Sequence, residues 1–498
     1  MSPSCLLCLP TEVLIIILEI LQPLDSDRVD WRAATVHTRV PEVEEIGIYS
    51  LRASCRRLLD LSTPYAFRRF RLWTSNGTAH HLGVVGNRPQ IFDAVKTLHL
   101  EFRAQTQSSN DFVHPRLKDI IPRFPDITAL HIQDLTSIDE STFEAVAQIR
   151  TLKHLWISCL TDEAAYIDVP ALQNLTLESL SVCGVTLFAD PAYAFRNTKH
   201  VYRPLVTLLS GATGKSLRFL HIRRAPETLI HRLNFSLASP LQRLEDIIPV
   251  DVQFPSLEVL KLDGVDTSRY WLGRRMGNFP SLHTLVLGND PIPKVASPTI
   301  GWPQLMRLHI GRLHPDEYLI PNCENLTDLS ISSPMDQENL EELKATLDIR
   351  SLRTTVPLTT LSLCFLLRPG VVSMPVTTQN LYEFFECLQD LEKLSLTSSS
   401  DMTMDLWEYH KDNLFKNFSQ LKKLRFLKTN LIPVSEEKNK EIQHTEVFQG
   451  VAKGIAKLCP KLEALFCHSK RLNSCRKIYI LNEEISEAEA TVKVATTL

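Results

Sequence analysis

A short block, apolar-x-x-Leu-x-apolar, returns along the chain from about residue 95 to about residue 467. It is first met as Val95, Leu98, Leu100; then Ile127, Leu130, Ile132; Leu152, Leu155, Ile157; and Leu177, Leu180, Val182, where a neighbouring register also fits. The series continues through Leu217, Leu220, Ile222; Leu257, Leu260, Leu262; Leu282, Leu285, Leu287; Leu305, Leu308, Ile310; and Leu326, Leu329, Ile331. It closes with Leu358, Leu361, Leu363; Leu391, Leu394, Leu396; Leu421, Leu424, Phe426; and Leu462, Leu465, Cys467. The last two apolar positions of a block alternate with polar ones, which is the period of a half-buried strand. Each block therefore predicts one short strand.

Several blocks are preceded by an aromatic residue or cysteine followed by proline: Phe124-Pro125, Phe254-Pro255, Phe279-Pro280, Trp302-Pro303 and Cys459-Pro460. Proline suits the approach to a strand and not its interior. Between blocks, residues 140–149, 339–347, 381–388, 406–418 and 447–458 carry helical spacing. One strand–turn–helix unit cannot bury its own apolar face, so successive units must stack.

About thirteen such units in succession resemble a leucine-rich-repeat array covering about three quarters of the chain. The resemblance implies an α/β fold: an irregular leucine-rich-repeat solenoid, a horseshoe with parallel strands inside and helices outside. Two features depart from the family pattern. Apolar residues such as Leu135, Leu160, Val265 and Leu313 stand where an Asn or Cys usually follows the strand. Block spacing also ranges from 21 residues (Leu308 to Leu329) to 41 (Leu424 to Leu465).

Ahead of the array, Leu9-Pro10-Thr11-Glu12-Val13-Leu14 opens an apolar helix running to Leu21. A second helix, Leu51 to Leu61, contains Cys55-Arg56-Arg57-Leu58, and Phe67-Arg68 with Leu72 follows. Leu-Pro-x-Glu-Val-Leu, then Cys-Arg-Arg-Leu, then Phe-Arg-x-x-x-Leu resembles an F-box. Together with the repeats, the chain resembles fungal-type F-box proteins with leucine-rich repeats. The interval from Gln22 to Tyr49 is longer than the usual connection between the two helices.

That resemblance implies a subunit of a Skp-cullin-F-box (SCF-type) ubiquitin ligase. Its N-terminal helices would bind a Skp-type adaptor, and through it a cullin-RING ligase, while the array binds a target protein. The implied adaptor-docking residues are Leu9, Pro10, Val13, Leu14, Ile17, Leu18 and Leu21. A second reading keeps the chain as a leucine-rich-repeat interaction scaffold with no ligase role, its first helix only capping the array. The expected organisation is an F-box-like domain at 1–75 with an insertion at 22–49, a linker at 76–90, the solenoid at 91–480 and a tail at 481–498.

The residue between the last two apolar positions of each block points to the concave face. In chain order these are His99, His131, Trp156, Ser181, His221, Lys261, Val286, His309, Ser330, Ser362, Ser395, Arg425 and Phe466. They are expected to be exposed, and His131, Trp156, His221, Lys261 and His309 are the candidate target-binding residues.

Composition excludes several other classes. A formal net charge of −3 gives no basic footprint for nucleic acid. Eleven cysteines without paired spacing suit a reducing compartment, and no apolar run approaches the roughly 20 residues of a membrane-spanning helix. Pro10, Glu12 and Glu19 interrupt the N-terminal apolar stretch, which lacks a basic leader, so cytoplasmic or nuclear residence is expected and the five Asn-x-Ser/Thr sequons are chance matches. Gly211-Ala212-Thr213-Gly214-Lys215-Ser216 resembles a phosphate-binding loop but carries Leu209 where the first glycine belongs. Cys5-x-x-Cys8 lacks a second ligand pair, and Cys459, Cys467, His468 and Cys475 form a similarly thin set. No catalytic residue, metal or cofactor is expected.

Overall fold

The computed structural model describes residues 10–21, 56–73, 89–101, 117–133, 140–158, 167–185, 203–224, 248, 251–265, 276–288, 302–311, 313, 319–365, 378–398, 416–431, 454–469, 474–480 and 492–495. The chain divides into two compact units, Met1–Val259 and Leu260–Leu498.

The first unit opens with α1 (Thr11–Leu21) and α2 (Arg56–Ala66), which pack on each other. The amides of Val13 and Leu14 both donate to Pro10 O at 3.1 Å, so the chain turns into α1 at a residue with no N–H of its own to satisfy. The Arg57 guanidinium donates to Thr11 Oγ1 at 3.0 Å, tying the start of α2 to the start of α1. The predicted insertion at 22–49 and most of the linker at 76–90 lie outside the described residues.

Six parallel strands follow in chain order: β1 (Arg69–Trp73), β2 (Thr97–Glu101), β3 (Ala129–Gln133), β4 (His154–Ser158), β5 (Ser179–Val185) and β6 (Phe219–Arg224). Short helices connect them: α3 (Pro89–Ala94), α4 (Leu117–Ile120), α5 (Glu140–Ala147), α6 (Arg203–Ser210) and α7 (Ala212–Ser216). β1 takes up the last four residues of the Phe-Arg-x-x-x-Leu ending of the N-terminal motif, so the sheet starts before the first repeat block. Phe70 pairs with Leu98 and Leu72 with Leu100, which covers an edge of β2 that would otherwise present unpaired amides and carbonyls.

In the second unit the order is β7 (Val259–Asp263, beginning at the last residue of the first unit), β8 (Thr284–Leu287), β9 (Arg307–Ile310), β10 (Asp328–Met335), β11 (Thr360–Phe365), β12 (Lys393–Ser398), β13 (Phe426–Thr429) and β14 (Ala464–Ser469). β8 to β14 are parallel. Two longer helices, α8 (Gln337–Ser351) and α9 (Thr378–Glu386), fill the crossovers after β10 and β11. The sheet ends with β15 (Ser474–Ile480) and β16 (Val492–Ala495), both antiparallel to their neighbours. Four residues between β14 and β15 cannot make the dozen-residue crossover that a parallel partner requires, so reversal is forced.

The strand leucines stack in columns, Leu98–Leu130–Leu155–Leu180–Leu220 in the first unit and Leu285–Leu308–Leu329–Leu361–Leu394–Leu427–Leu465 in the second. None is more than 3% exposed. Each such side chain contributes about 1.5–3 kcal/mol on burial, repeated at every turn. Val265 and Leu313 are buried in the same way, so apolar packing replaces the amide that the family pattern places there.

One backbone device keeps this register whatever the crossover length. The carbonyl ahead of most of the parallel strands accepts two consecutive amides of the next repeat. Lys96 O receives Thr128 and Ala129, Thr128 O receives Lys153 and His154, and Lys153 O receives Glu178 and Ser179, at 2.8–3.0 Å. The pattern repeats from His283 O, which receives Met306 and Arg307, to Arg425 O, which receives Glu463 and Ala464. Side chains at the same level pair across units, as in Lys153–Glu178 at 2.7 Å and Arg218–Glu258 at 2.6 Å.

β13 corrects one register. Leu427, not Leu424, aligns with Leu394 and Leu465, and Thr429 takes the last buried position. Leu421, Leu424 and Leu427 are spaced by three, so two blocks fit the same stretch and only the pairing chooses between them. The face residue of this strand is therefore Lys428 rather than Arg425, which instead pairs with Glu463 and Glu392 at the strand approach. The interval to the next block shortens to 38 residues (Leu427 to Leu465).

Candidate functional site

The open face of each sheet is the surface that the repeats hold rigidly, and the two units present different chemistry on it. In the first unit His99, His131, Trp156, Ser181 and His221 lie side by side in register on β2 to β6. His99 Nδ1 and His131 Nδ1 are 3.0 Å apart. That contact holds only when one of the two nitrogens carries a proton and the other accepts it. Trp156 stacks on His131 with ring centroids 4.2 Å apart and planes 20° from parallel. Ser181 Oγ lies 3.0 Å from His221 Nδ1, a pairing that a separation of 40 positions conceals in the sequence.

Adjacent strands thus bring His131 and Trp156 together, whereas His221 stands two strands from Trp156 and joins Ser181. The expectation that this row is exposed does not hold throughout. His221 is only 5% exposed and Lys261, on β7 in the second unit, only 6%. His221 is flanked in its own strand by Phe219, whose ring lies 6.4 Å away, and its imidazole is part of the packing. His309 is half-buried. Burial lowers its pKa most, Lys261 adds to the lowering and Asp263 opposes it.

The open face of β9 to β13 in the second unit differs. The central row reads His309, Ser330, Ser362, Ser395 and Lys428, in register. Two residues earlier on each strand, and therefore on the same face, stand Arg307, Asp328, Thr360, Lys393 and Phe426. Arg307, Lys393 and Lys428 are exposed. Burial raises the Asp328 carboxyl pKa, with Arg307 and Lys393 pulling it back. Lys393 Nζ sits 5.7 Å over the Phe426 ring. Reading only the position between two leucines missed Arg307, Lys393 and Phe426, although strand alternation places them on that face.

The N-terminal candidates divide. Leu14 and Leu18 are 2% and 1% exposed, so they are core residues of the chain and not a free docking surface. Pro10, just ahead of α1, and Val13, on it, are exposed. A largely apolar helix must bury one side against its own domain, and α1 packs on α2. Leu9 lies outside the described residues, as do the side chains of Ile17 and Leu21.

The loop-like residues 211–216 have structural partners. Thr213 Oγ1 donates to Leu175 O at 2.7 Å and receives the Leu177 amide, while Ser216 Oγ donates to Leu177 O at 2.8 Å. A Cβ at Gly211 would stand 2.4 Å from Gln173 O, which explains the glycine as close backbone packing. Cys459 is buried with Sγ donating to Phe418 O, and burial pushes its thiol to about 12. Among the described residues no group of three or more His, Cys, Asp or Glu is arranged to hold a metal ion, and no helix is long and apolar enough to cross a membrane.

No protein-family model matches the chain, and no curated protein matches it. A solved structure described as the crystal structure of a TLR13–ssRNA13 complex aligns with 68% of this chain and 40% of its own, at 14% identity and a TM-score of 0.30. The chain thus spans less than half the length of that protein. The ordered ladder of parallel strands, leucine columns and intervening helices makes the chain an α/β leucine-rich-repeat solenoid.

Proposed function

We propose that the chain is the substrate-recognition subunit of an SCF-type ubiquitin ligase. The observation that carries the reading is the succession of Leu9-Pro10-Thr11-Glu12-Val13-Leu14, Cys55-Arg56-Arg57-Leu58 and Phe67-Arg68 with Leu72, placed directly ahead of a repeat array. In this reading the side of α1 that bears Pro10 and Val13, continued by Leu9, docks on a Skp-type adaptor, while Leu14 and Leu18 hold α1 to α2. The adaptor links the chain to a cullin-RING ligase, and a sheet face of the array holds the target. The chain works in the cytoplasm or nucleus and contributes proximity instead of side-chain chemistry.

The test uses the full chain and a purified Skp-type adaptor. Changing Leu9→Ala, Pro10→Ala and Val13→Asp together should abolish adaptor capture and leave thermal melting unchanged, whereas Leu14→Asp should lower the melting temperature. Wild-type chain that does not capture the adaptor, or a triple variant that captures it at full strength, would establish the scaffold reading in its place.

A further inference from the structure

The face of β9 to β13 has a composition that suits one kind of partner, and this inference rests on the target-receptor reading given above. Its floor is made of hydroxyls. Ser330, Ser362 and Ser395 stand in register on three neighbouring strands, with Thr360 beside them, and all four are half-buried. Small side chains leave the sheet surface low, so a second chain can lie close to it. Hydroxyls can also donate to carboxylates and to backbone carbonyls.

Cations border that floor. Arg307 stands on β9, Lys393 on β12 and Lys428 on β13, all exposed. The one described carboxylate on this face of the five strands, Asp328, lies between Arg307 and Lys393 in its row and offsets part of their charge. The positive surplus is thus greatest at Lys393 and Lys428, neither of which has an ion-pair partner among the described residues. Farther along, Arg425 is held between Glu392 and Glu463, so that group is internally compensated.

From these observations we infer that the face of β9 to β13 binds a short, extended, acidic peptide segment of the target. Four strand spacings of about 4.8 Å span about 19 Å, the length of roughly six extended residues. Carboxylates of the segment pair with Lys393 and Lys428, and the rest of it runs over the serine floor toward Arg307. A polyphosphate chain is disfavoured because Asp328 interrupts the cations and the whole protein carries a net charge of −3.

The test measures fluorescence anisotropy of a labelled, end-capped hexaglutamate peptide with the full-length chain at low salt. Wild type should bind, binding should weaken as salt rises, and Lys393→Glu with Lys428→Glu should weaken it at least about tenfold. Ser362→Trp, which fills the floor without changing charge, should also abolish binding. The same charge reversal in exposed turns off this face, Lys422→Glu with Lys461→Glu, should leave it within about twofold. No binding by wild type, equal loss from the off-face pair, or tighter binding of a single-stranded hexaribonucleotide than of the peptide would each overturn the inference. Adaptor capture measured on the same preparations separates the two proposals, since the face variants should retain it and the α1 variants should retain peptide binding.

Discussion

Replacing Arg350 tests the packing logic most directly. Leu340, Leu343, Leu347 and Arg350 form the buried stripe of α8, so the guanidinium occupies a place where the repeat would accept another leucine. It is 4% exposed and is surrounded by carbonyls. Its nitrogens donate to Cys323 O at 3.2 Å, Glu324 O at 3.3 Å, Leu326 O at 2.6 Å and Val356 O at 3.0 Å, all in the turns before β10 and β11. Burial lowers its pKa, yet a guanidinium stays protonated at any physiological pH. In Arg350→Met the Glu324 and Val356 carbonyls, both at part-buried contacts, can turn to water. The buried Leu326 carbonyl cannot, and an acceptor left without a donor costs about 1–3 kcal/mol. Cys323 O keeps the Leu326 amide at 3.2 Å and loses only the net worth of one hydrogen bond, about 0.5–1.5 kcal/mol. Methionine recovers about 1 kcal/mol of stem burial, leaving a loss of about 0.5–3.5 kcal/mol. Arg350→Lys retains the charge but offers a single point of donation, so about half that loss is expected. Urea unfolding gives the magnitude, and amide exchange over residues 319–365 should report it locally, since repeat arrays lose stability unit by unit. An Arg350→Met variant within about 0.5 kcal/mol of wild type would refute the assignment of Arg350 as the clamp between these turns.

Two further outcomes follow from the titrating groups. The pKa of His309 is lower in the folded chain than in the unfolded one, so the unfolded state binds more protons once pH drops below about 6.5. Stability should be constant above that pH and fall as pH declines toward the folded pKa, and His309→Gln should flatten this part of a melting-temperature profile between pH 7.5 and 5.5. With its thiol near 12, Cys459 should resist iodoacetamide in the native chain at pH 8 and react only on unfolding. Cys387 is exposed, but burial and then Asp348 raise its pKa, so mass spectrometry should show slow labelling at pH 8 that accelerates above pH 9.

The block pattern by itself determined the architecture. A leucine buried at every repeat leaves the side-chain alternation no choice of face, because a one-residue slip would turn each leucine to solvent. It also located the helices at 140–147, 337–351 and 378–386 to within a few residues. What it could not determine was anything set by pairing between distant segments. The register of β13 hung on whether Leu424 or Leu427 met Leu394, and β1 was a strand only because β2 lay beside it. The antiparallel end depended on the four-residue link after β14. Leu14 and Leu18 read as free apolar surface, but in the folded chain both are buried and α1 packs on α2. Arg350 read as one more polar residue on a helix until four carbonyls from other turns converged on it. Local sequence fixes which side of a strand or helix is apolar, and only tertiary contact decides which of those sides is already occupied and which is left for a partner.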